Sequence, residues 1–270
     1  MSGQRVALLG AGVMGEALLS GLLRSGHASA ADVRVAERRP ARAAELEQRY
    51  GVTVTDPLEA VAGAETVLLV VKPQDMGALL AEVGPAVPSA ALVVSVAAGI
   101  TTSFVQDRLP AGVAVVRAMP NTPALVDAGM TALSAGTHCD ADHLERASAL
   151  MGSVGAVVVV PEYQQDAVTA ISGSGPAYLF YVVEAMIEAG VLLGLPRVTA
   201  TQLVVQTLVG AGRMLAETGE HPTVLRENVT SPAGTTAAAV RALEDHKVRA
   251  AFLTAMEAAR DRSAELAAGG

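Results

Sequence analysis

Ser231, Thr235 and Thr236 stand close together in Asn228-Val229-Thr230-Ser231-Pro232-Ala233-Gly234-Thr235-Thr236, just ahead of an Ala-rich stretch. Three hydroxyls beside the unpaired N–H groups of a helix start form a place for a small carboxylate. Simple helix capping uses the same residues, and this segment alone leaves both readings open. A second segment, near the start of the chain, also carries chemistry. Val6-Ala7-Leu8-Leu9-Gly10-Ala11-Gly12-Val13-Met14-Gly15 runs from an apolar strand through a glycine turn into a helix. Gly10 permits the turn, Gly12 lets a pyrophosphate approach the backbone, and Gly15 lets the helix pack close to the strand. The amides of Gly12, Val13 and Met14 then face the phosphates at the positive end of the helix dipole. A dinucleotide is the expected ligand.

The end of the second strand, Val35-Ala36-Glu37-Arg38-Arg39-Pro40, is where such a site reads the ribose. Glu37 suits a free 2′-hydroxyl and hence NADH, whereas Arg38 and Arg39 suit a 2′-phosphate and hence NADPH. The balance leans to NADPH, with NADH the alternative. Lysine occurs only at 72 and 247, and Lys72-Pro73 ends the next strand at the ligand-binding edge, a cation placed for the coenzyme. Ala97-Ala98-Gly99 and Met119-Pro120-Asn121 end later strands at the same edge. Ala97 and Gly99 would border the coenzyme, and Asn121 offers a neutral amide to the carboxamide or substrate; taken singly, each is explained nearly as well by a structural turn.

These residues need a framework, and the pattern supplies one. Apolar runs at 6–9, 33–36, 66–71, 91–96, 113–117, 130–134 and 156–160 alternate with amphipathic stretches at 14–24, 41–49, 74–83, 101–108 and 141–151. Continuous Val/Leu/Ala runs are expected of parallel strands covered on both faces. Residues 1–161 therefore read as an α/β, Rossmann-like, doubly wound sheet. Residues 162–270 read as all-α, with long helices at 176–193, 197–217 and 235–268. Ile171-Ser172-Gly173-Ser174-Gly175-Pro176-Ala177-Tyr178 reads as a small-residue loop that opens the first of them. The helices are apolar around much of their circumference, more than a small domain can bury, so a subunit interface is expected.

The charge of −8 and the 3% aromatic content argue against nucleic acid as a partner. Cys139 is the single cysteine, so no internal disulfide is possible. Residues 1–5 lead straight into the first strand without a signal-like stretch, and the apolar runs are broken before they reach membrane-spanning length. A cytoplasmic chain without a membrane partner is expected. His27, His138, His143, His221 and His246 show no ligand spacing, so no metal is expected, and His138 beside Cys139 reads as a surface neighbour rather than a dyad.

The chain resembles the Δ1-pyrroline-5-carboxylate reductase family over nearly its whole length. The resemblance rests on the glycine motif at 10–15, Val71-Lys72-Pro73, Arg117-Ala118-Met119-Pro120-Asn121, the segment 172–178 and the segment 230–236. It implies reduction of a cyclic imino acid to proline by NADPH, or alternatively NADH. It also implies a homodimer formed through the helical domain and a pentamer of such dimers. The substrate carboxylate would be held at Ser231, Gly234, Thr235 and Thr236, with Thr236 as the catalytic residue near the imine nitrogen. The family commonly has glycine where this chain has Ala233, which bears on the backbone of that loop. A β-hydroxyacid dehydrogenase is the rival reductase; it needs a catalytic lysine on a helix of the second domain, where only Lys247 is available. A non-catalytic nucleotide sensor is the other rival, and it has no use for a second ligand site.

Overall fold

The computed structural model describes residues 4–268; residues 1–3, part of the expected lead into the first strand, lie outside the described residues. The elements run β1 (Val6–Leu9), α1 (Val13–Arg24), β2 (Val33–Ala36), α2 (Pro40–Tyr50), β3 (Thr53–Thr55), α3 (Pro57–Val61), β4 (Thr66–Leu69) and α4 (Pro73–Val83). They continue through β5 (Leu92–Ser95), α5 (Thr102–Gln106), β6 (Ala114–Met119), β7 (Gly129–Ala135), α6 (Ala141–Gly152) and β8 (Gly155–Val159). The helical remainder is α7 (Gln165–Val168), α8 (Gly175–Leu192), α9 (Arg197–Thr218), α10 (Pro222–Asn228), α11 (Thr235–Asp245) and α12 (Val248–Ala268).

The strands form one sheet in the order β3-β2-β1-β4-β5-β6-β7-β8. Successive residues of each strand point to opposite faces, and helices cover both. Leu8, Leu68, Val94 and Val116 pack on one side against Leu18 and Leu22 of α1, while Ala7, Leu9, Leu69 and Val93 pack on the other against Met76 and Leu80 of α4. Two buried faces are why these strands read as unbroken apolar runs. One ladder departs from the all-parallel expectation. β7 pairs antiparallel to β6, because only a tight 3-10 turn (Thr122–Val126) joins them and leaves no length for a crossover.

Short elements escaped the periodicity. β3 is a three-residue polar edge strand, and α3 and α10 are single turns or little more. The helix expected over 235–268 is two helices: the chain breaks at His246 and Lys247, where Lys247 takes a left-handed φ of 58°. The expected loop at 171–178 is helical except for a bend at Ser174. Pro161 is followed by a 3-10 turn, α7, a π turn (Thr169–Gly173) and α8, without an open segment. Pro176 interrupts nothing, because it sits in the first turn of α8, where its missing N–H has no helical partner to lose. The stretch Glu162–Leu192 is in consequence long and apolar enough, by length and composition alone, to cross a membrane, contrary to the expectation from the sequence.

The chain divides into two compact units, one reaching to Ser174 and resuming at Ala259, the other spanning Gly175–Ala258. In the first unit, Gln165 of α7 is fully buried against β7, donating to Ala132 O at 3.4 Å and to Ser134 Oγ at 2.7 Å. Ser263, near the end of α12, is buried in the same unit and donates to Asp166 at 2.8 Å. In the second unit, α8 and α9 pack on one another. This unit leaves Phe180, Tyr181, Leu192, Leu193 and Val198 well exposed.

Candidate coenzyme and carboxylate sites

The glycine turn between β1 and α1 is sterically obligatory at two of its three positions. Gly10 lies at φ +98°, and a Cβ there would meet the Val70 carbonyl oxygen at 2.5 Å. A Cβ on Gly15 would run into the Gly10 carbonyl. Gly12 is different: nothing lies within 4 Å of where its Cβ would be. It is also the N-cap of α1, without a side chain to satisfy the amides of Val13 and Met14. The cradle thus offers unspent donors into open space, as a pyrophosphate requires.

An acid sits awkwardly near this cradle, and the fold neutralises it. Glu16, in the first turn of α1, accepts hydrogen bonds from Arg42, from Arg49 at 2.8 Å and from Tyr50 at 2.9 Å. Burial pushes its carboxyl up, but the bonds from Arg42 and Tyr50 outweigh this and hold it below the ordinary range. Arg42 also donates from Nε to the Ala11 carbonyl at 3.2 Å, tying the turn to α2. The sequence carries no local signal for this clasp, because its members come from α1 and α2.

Beside the glycine turn, at the end of β2, lies a cleft of about 470 Å³, lined among others by Gly10, Glu37, Arg38, Asp56 and Asp75. Glu37 holds Arg39 in a bidentate pair, Nε to Oε1 at 2.9 Å and Nη2 to Oε2 at 3.1 Å, with the Arg39 backbone N–H on Oε1 as well. Arg39 holds the Glu37 carboxyl below its ordinary range, chiefly through the side-chain bond. Arg38 makes only an exposed approach to Glu82 at 3.6 Å. The two arginines, alike in the sequence, are therefore in different states.

Lys72 is exposed and stands at the N-cap of α4, with Pro73 following it as the first helical residue. Ala97 and Gly99 are buried in the turn after β5, where Gly99 takes φ 75°. Asn121 is not a free amide. Its Nδ2 donates to the Ser172 carbonyl at 3.1 Å, and its Oδ1 accepts from the Met130 N–H at 2.8 Å. It acts as a strut between the β6–β7 turn and the π turn, with one Nδ2 hydrogen and one Oδ1 lone pair left beyond these two bonds. Gly173 belongs to the same junction, since a Cβ there would meet the Met119 side chain at 2.6 Å.

Sequence reasoning gave Arg117 no role. It is buried mid-sheet, 3.6 Å from Glu162 and 3.9 Å from Asp166. Glu162 in turn accepts from the Thr102 amide at 2.7 Å and the Thr102 hydroxyl at 2.6 Å. A charged residue inside an otherwise apolar strand was the available signal, since buried charges are paired. Among the described residues, no three His, Cys, Asp or Glu side chains group as metal ligands.

In the second unit, the segment 230–236 closes into a tight turn ahead of α11. Ala233 lies at φ 56°, the left-handed region in which glycine is at ease. Gly234 is the N-cap and has no side-chain capping bond. Its own N–H donates to the Ser231 carbonyl at 3.0 Å, so this amide, expected to hold an anion, closes the turn instead. The first helical i→i−4 bond comes from Ala238 to Gly234 O, which leaves the amides of Thr235, Thr236 and Ala237 ahead of it. The Ser231, Thr235 and Thr236 hydroxyls are not used as caps. This favours the anion reading over plain capping.

Comparison with known proteins agrees with this arrangement. Residues 162–266 match the family model described as pyrroline-5-carboxylate reductase dimerisation, and residues 5–99 match the one described as NADP oxidoreductase, coenzyme F420-dependent. The chain is 46% identical to a pyrroline-5-carboxylate reductase of Corynebacterium melassecola, over 97% of this chain and 98% of that one. It is 47% identical to that of Mycobacterium tuberculosis, over 97% and 96%. A solved pyrroline-5-carboxylate reductase structure from Coxiella burnetii superposes with a TM-score of 0.91 at 37% identity, covering 97% and 98%. The Plasmodium falciparum pyrroline carboxylate reductase with NADP bound superposes at 0.89 and 26% identity, covering 99% of each chain.

Proposed function

The chain belongs to the pyrroline-5-carboxylate reductase family, and from that premise we propose how its own residues carry out the reaction. The enzyme reduces Δ1-pyrroline-5-carboxylate to proline with NADPH. When bound, the coenzyme supplies a hydride for C5 of the cyclic imine. The residues present fit it: the Gly10–Gly15 cradle leaves the amides of Gly12, Val13 and Met14 for the pyrophosphate, and the 37–39 cleft takes the adenosine ribose. Lys72, Pro73, Ala97 and Gly99 border the remainder of the coenzyme.

The substrate carboxylate is held by the amides of Thr235 and Thr236 at the N-terminus of α11, with the Ser231 hydroxyl beside them and Gly234 shaping the turn. The Thr236 hydroxyl orients the ring nitrogen and accepts a hydrogen bond from the product amine. It does not serve as a general acid, because an unassisted hydroxyl titrates far above working pH. The imine therefore arrives protonated, and the protein's contribution is placement.

One observation carries this reading: the donors of the 230–236 turn are unspent on capping. Steady-state kinetics on the imine, with NADPH and NADH side by side and hydroxyisobutyrate as the control substrate, test it. Turnover of hydroxyisobutyrate but not of the imine would overturn it. The rival dehydrogenase lacks its lysine, since Lys247 sits in the left-handed break between α11 and α12 rather than on a helix. The functional boundary lies at 161/162, where the family's dimerisation region begins. The exposed apolar faces of 175–258 are the dimer interface, and the dimers assemble into a cytoplasmic pentamer of dimers, which light scattering on the purified enzyme checks.

A further inference from the structure

We propose that the Glu37–Arg39 ion pair sets the coenzyme preference: Arg39 does not read the coenzyme but holds Glu37, while Arg38 is the cation that meets a 2′-phosphate. This rests on the reading that the cleft at 37–39 takes the adenosine ribose.

Arg39 is committed. Its side chain spans both oxygens of Glu37, and its backbone N–H adds a third bond to the same carboxylate. It is also the N-cap of α2, directly before Pro40, so its backbone is fixed by the helix that follows. Glu37, by contrast, lines the cleft with its side chain only 7% exposed. Arg38 lines the cleft too, and its 3.6 Å approach to Glu82 is an exposed contact that costs little to break. Asp56, another acid on the wall, is occupied in capping α3 through the Glu59 N–H at 3.0 Å.

The carboxylates of Asp56 and Asp75 on the same wall are common to all the variants, so differences in charge among them follow from the trio Glu37, Arg38 and Arg39. Glu37, Arg38 and Arg39 sum to one positive charge. A held carboxylate still accepts from a ribose 2′-hydroxyl, so NADH is tolerated. Its charge is offset by Arg39, so a 2′-phosphate is not expelled and Arg38 attracts it. Removing the Glu37 charge leaves two positives, and removing the Arg39 charge leaves none. Both changes break the same ion pair, yet they move the local charge in opposite directions.

The experiment is titration of NADPH and NADH fluorescence with the wild type, Glu37→Gln, Arg39→Gln and Arg38→Gln, each first shown to melt cooperatively. Glu37→Gln should raise the ratio of the NADH to the NADPH Kd about tenfold, and Arg39→Gln should lower it by about as much, the size expected of one charge-assisted contact. Arg38→Gln should lower the ratio mainly by weakening NADPH. If Glu37→Gln and Arg39→Gln shift the ratio in the same direction, or neither shifts it while Arg38→Gln does, the pair is only structural and the proposal is wrong. If none of the three variants alters binding of either coenzyme, the ribose lies elsewhere, and the underlying reading falls along with it.

Discussion

Ala233 is the residue whose replacement tests the carboxylate turn most directly. It occupies φ 56° with a Cβ present, a conformation that costs an L-residue about 1–2 kcal/mol. Glycine would remove that strain but would add back about 0.4–1 kcal/mol through its freer unfolded chain. Ala233→Gly should thus stabilise by about 0.5–1 kcal/mol, a rise of about 1–4 °C in Tm for a chain of this size. Valine tests the opposite limb. A β-branched side chain has no comfortable left-handed well, and the turn cannot relax inward, because the Cβ position of Gly234 is already filled by the Ser231 hydroxyl. Ala233→Val should therefore swing the backbone out and re-aim the amides of Thr235 and Thr236. Losing even one charge-assisted bond to the carboxylate, about 1.5–3 kcal/mol, raises KM for the imine at least about tenfold. Calorimetry and steady-state kinetics with varied imine at saturating NADPH measure both effects. A valine variant with wild-type KM and wild-type Tm would refute the reasoning, as would a glycine variant that melts lower.

Other outcomes follow from the same structure. Thr236→Ala should lower turnover of the imine without abolishing it, and unchanged kinetics would remove that hydroxyl from the mechanism. Arg42→Met should raise KM for NADPH and NADH alike by about five- to tenfold, since it leaves Glu16 beside the phosphates with only the more exposed Arg49 to offset its charge; adding Glu16→Gln should restore most of the loss, and a double variant no better than the single would show that Glu16 is not the cause. Arg117→Met should cost about 2–4 kcal/mol in a denaturant titration, less than a fully buried pair because Glu162 and Asp166 keep some solvent. Glu37 is held below its ordinary 4.5 by Arg39, so the pair stabilises fully above about pH 4.5 and fades as pH falls through the lower folded value. The Tm difference between wild type and Glu37→Gln should accordingly shrink on acidification, and a difference that grows there would contradict the assignment.

The sheet was legible because its burial is two-sided. Val6–Leu9, Thr66–Leu69 and Leu92–Ser95 are buried at every position, so their apolar content alone marks them. β3 was not, because Thr-Val-Thr is an edge strand of three residues, too short for its alternation to establish a period. The direction of β7 was hidden for another reason. Parallel and antiparallel neighbours share the same apolar content, and only the shortness of the 120–128 connection distinguishes them. The break at Lys247 also leaves no trace, since Asp245-His246-Lys247 contains neither Gly nor Pro.

The site divides along a similar line. Glycine positions were readable because their demand is steric and local: Gly10 and Gly15 exclude a Cβ whatever else the chain does. Polar residues were not, because a donor's role depends on what has already claimed it. Asn121 and Arg39 both looked available for a ligand, and both are engaged by groups within the fold. Gly234 looked like an amide donor, and its N–H closes the turn. Arg38 and Thr236 stand beside them in the same motifs, where Arg38 makes only an exposed approach to Glu82 at 3.6 Å and the Thr236 hydroxyl caps nothing. What separates the two sets is hydrogen-bond capacity left over after folding, a quantity that spacing in the chain does not encode. The residues expected to act on substrate and coenzyme are those with capacity to spare, and their neighbours hold them in place.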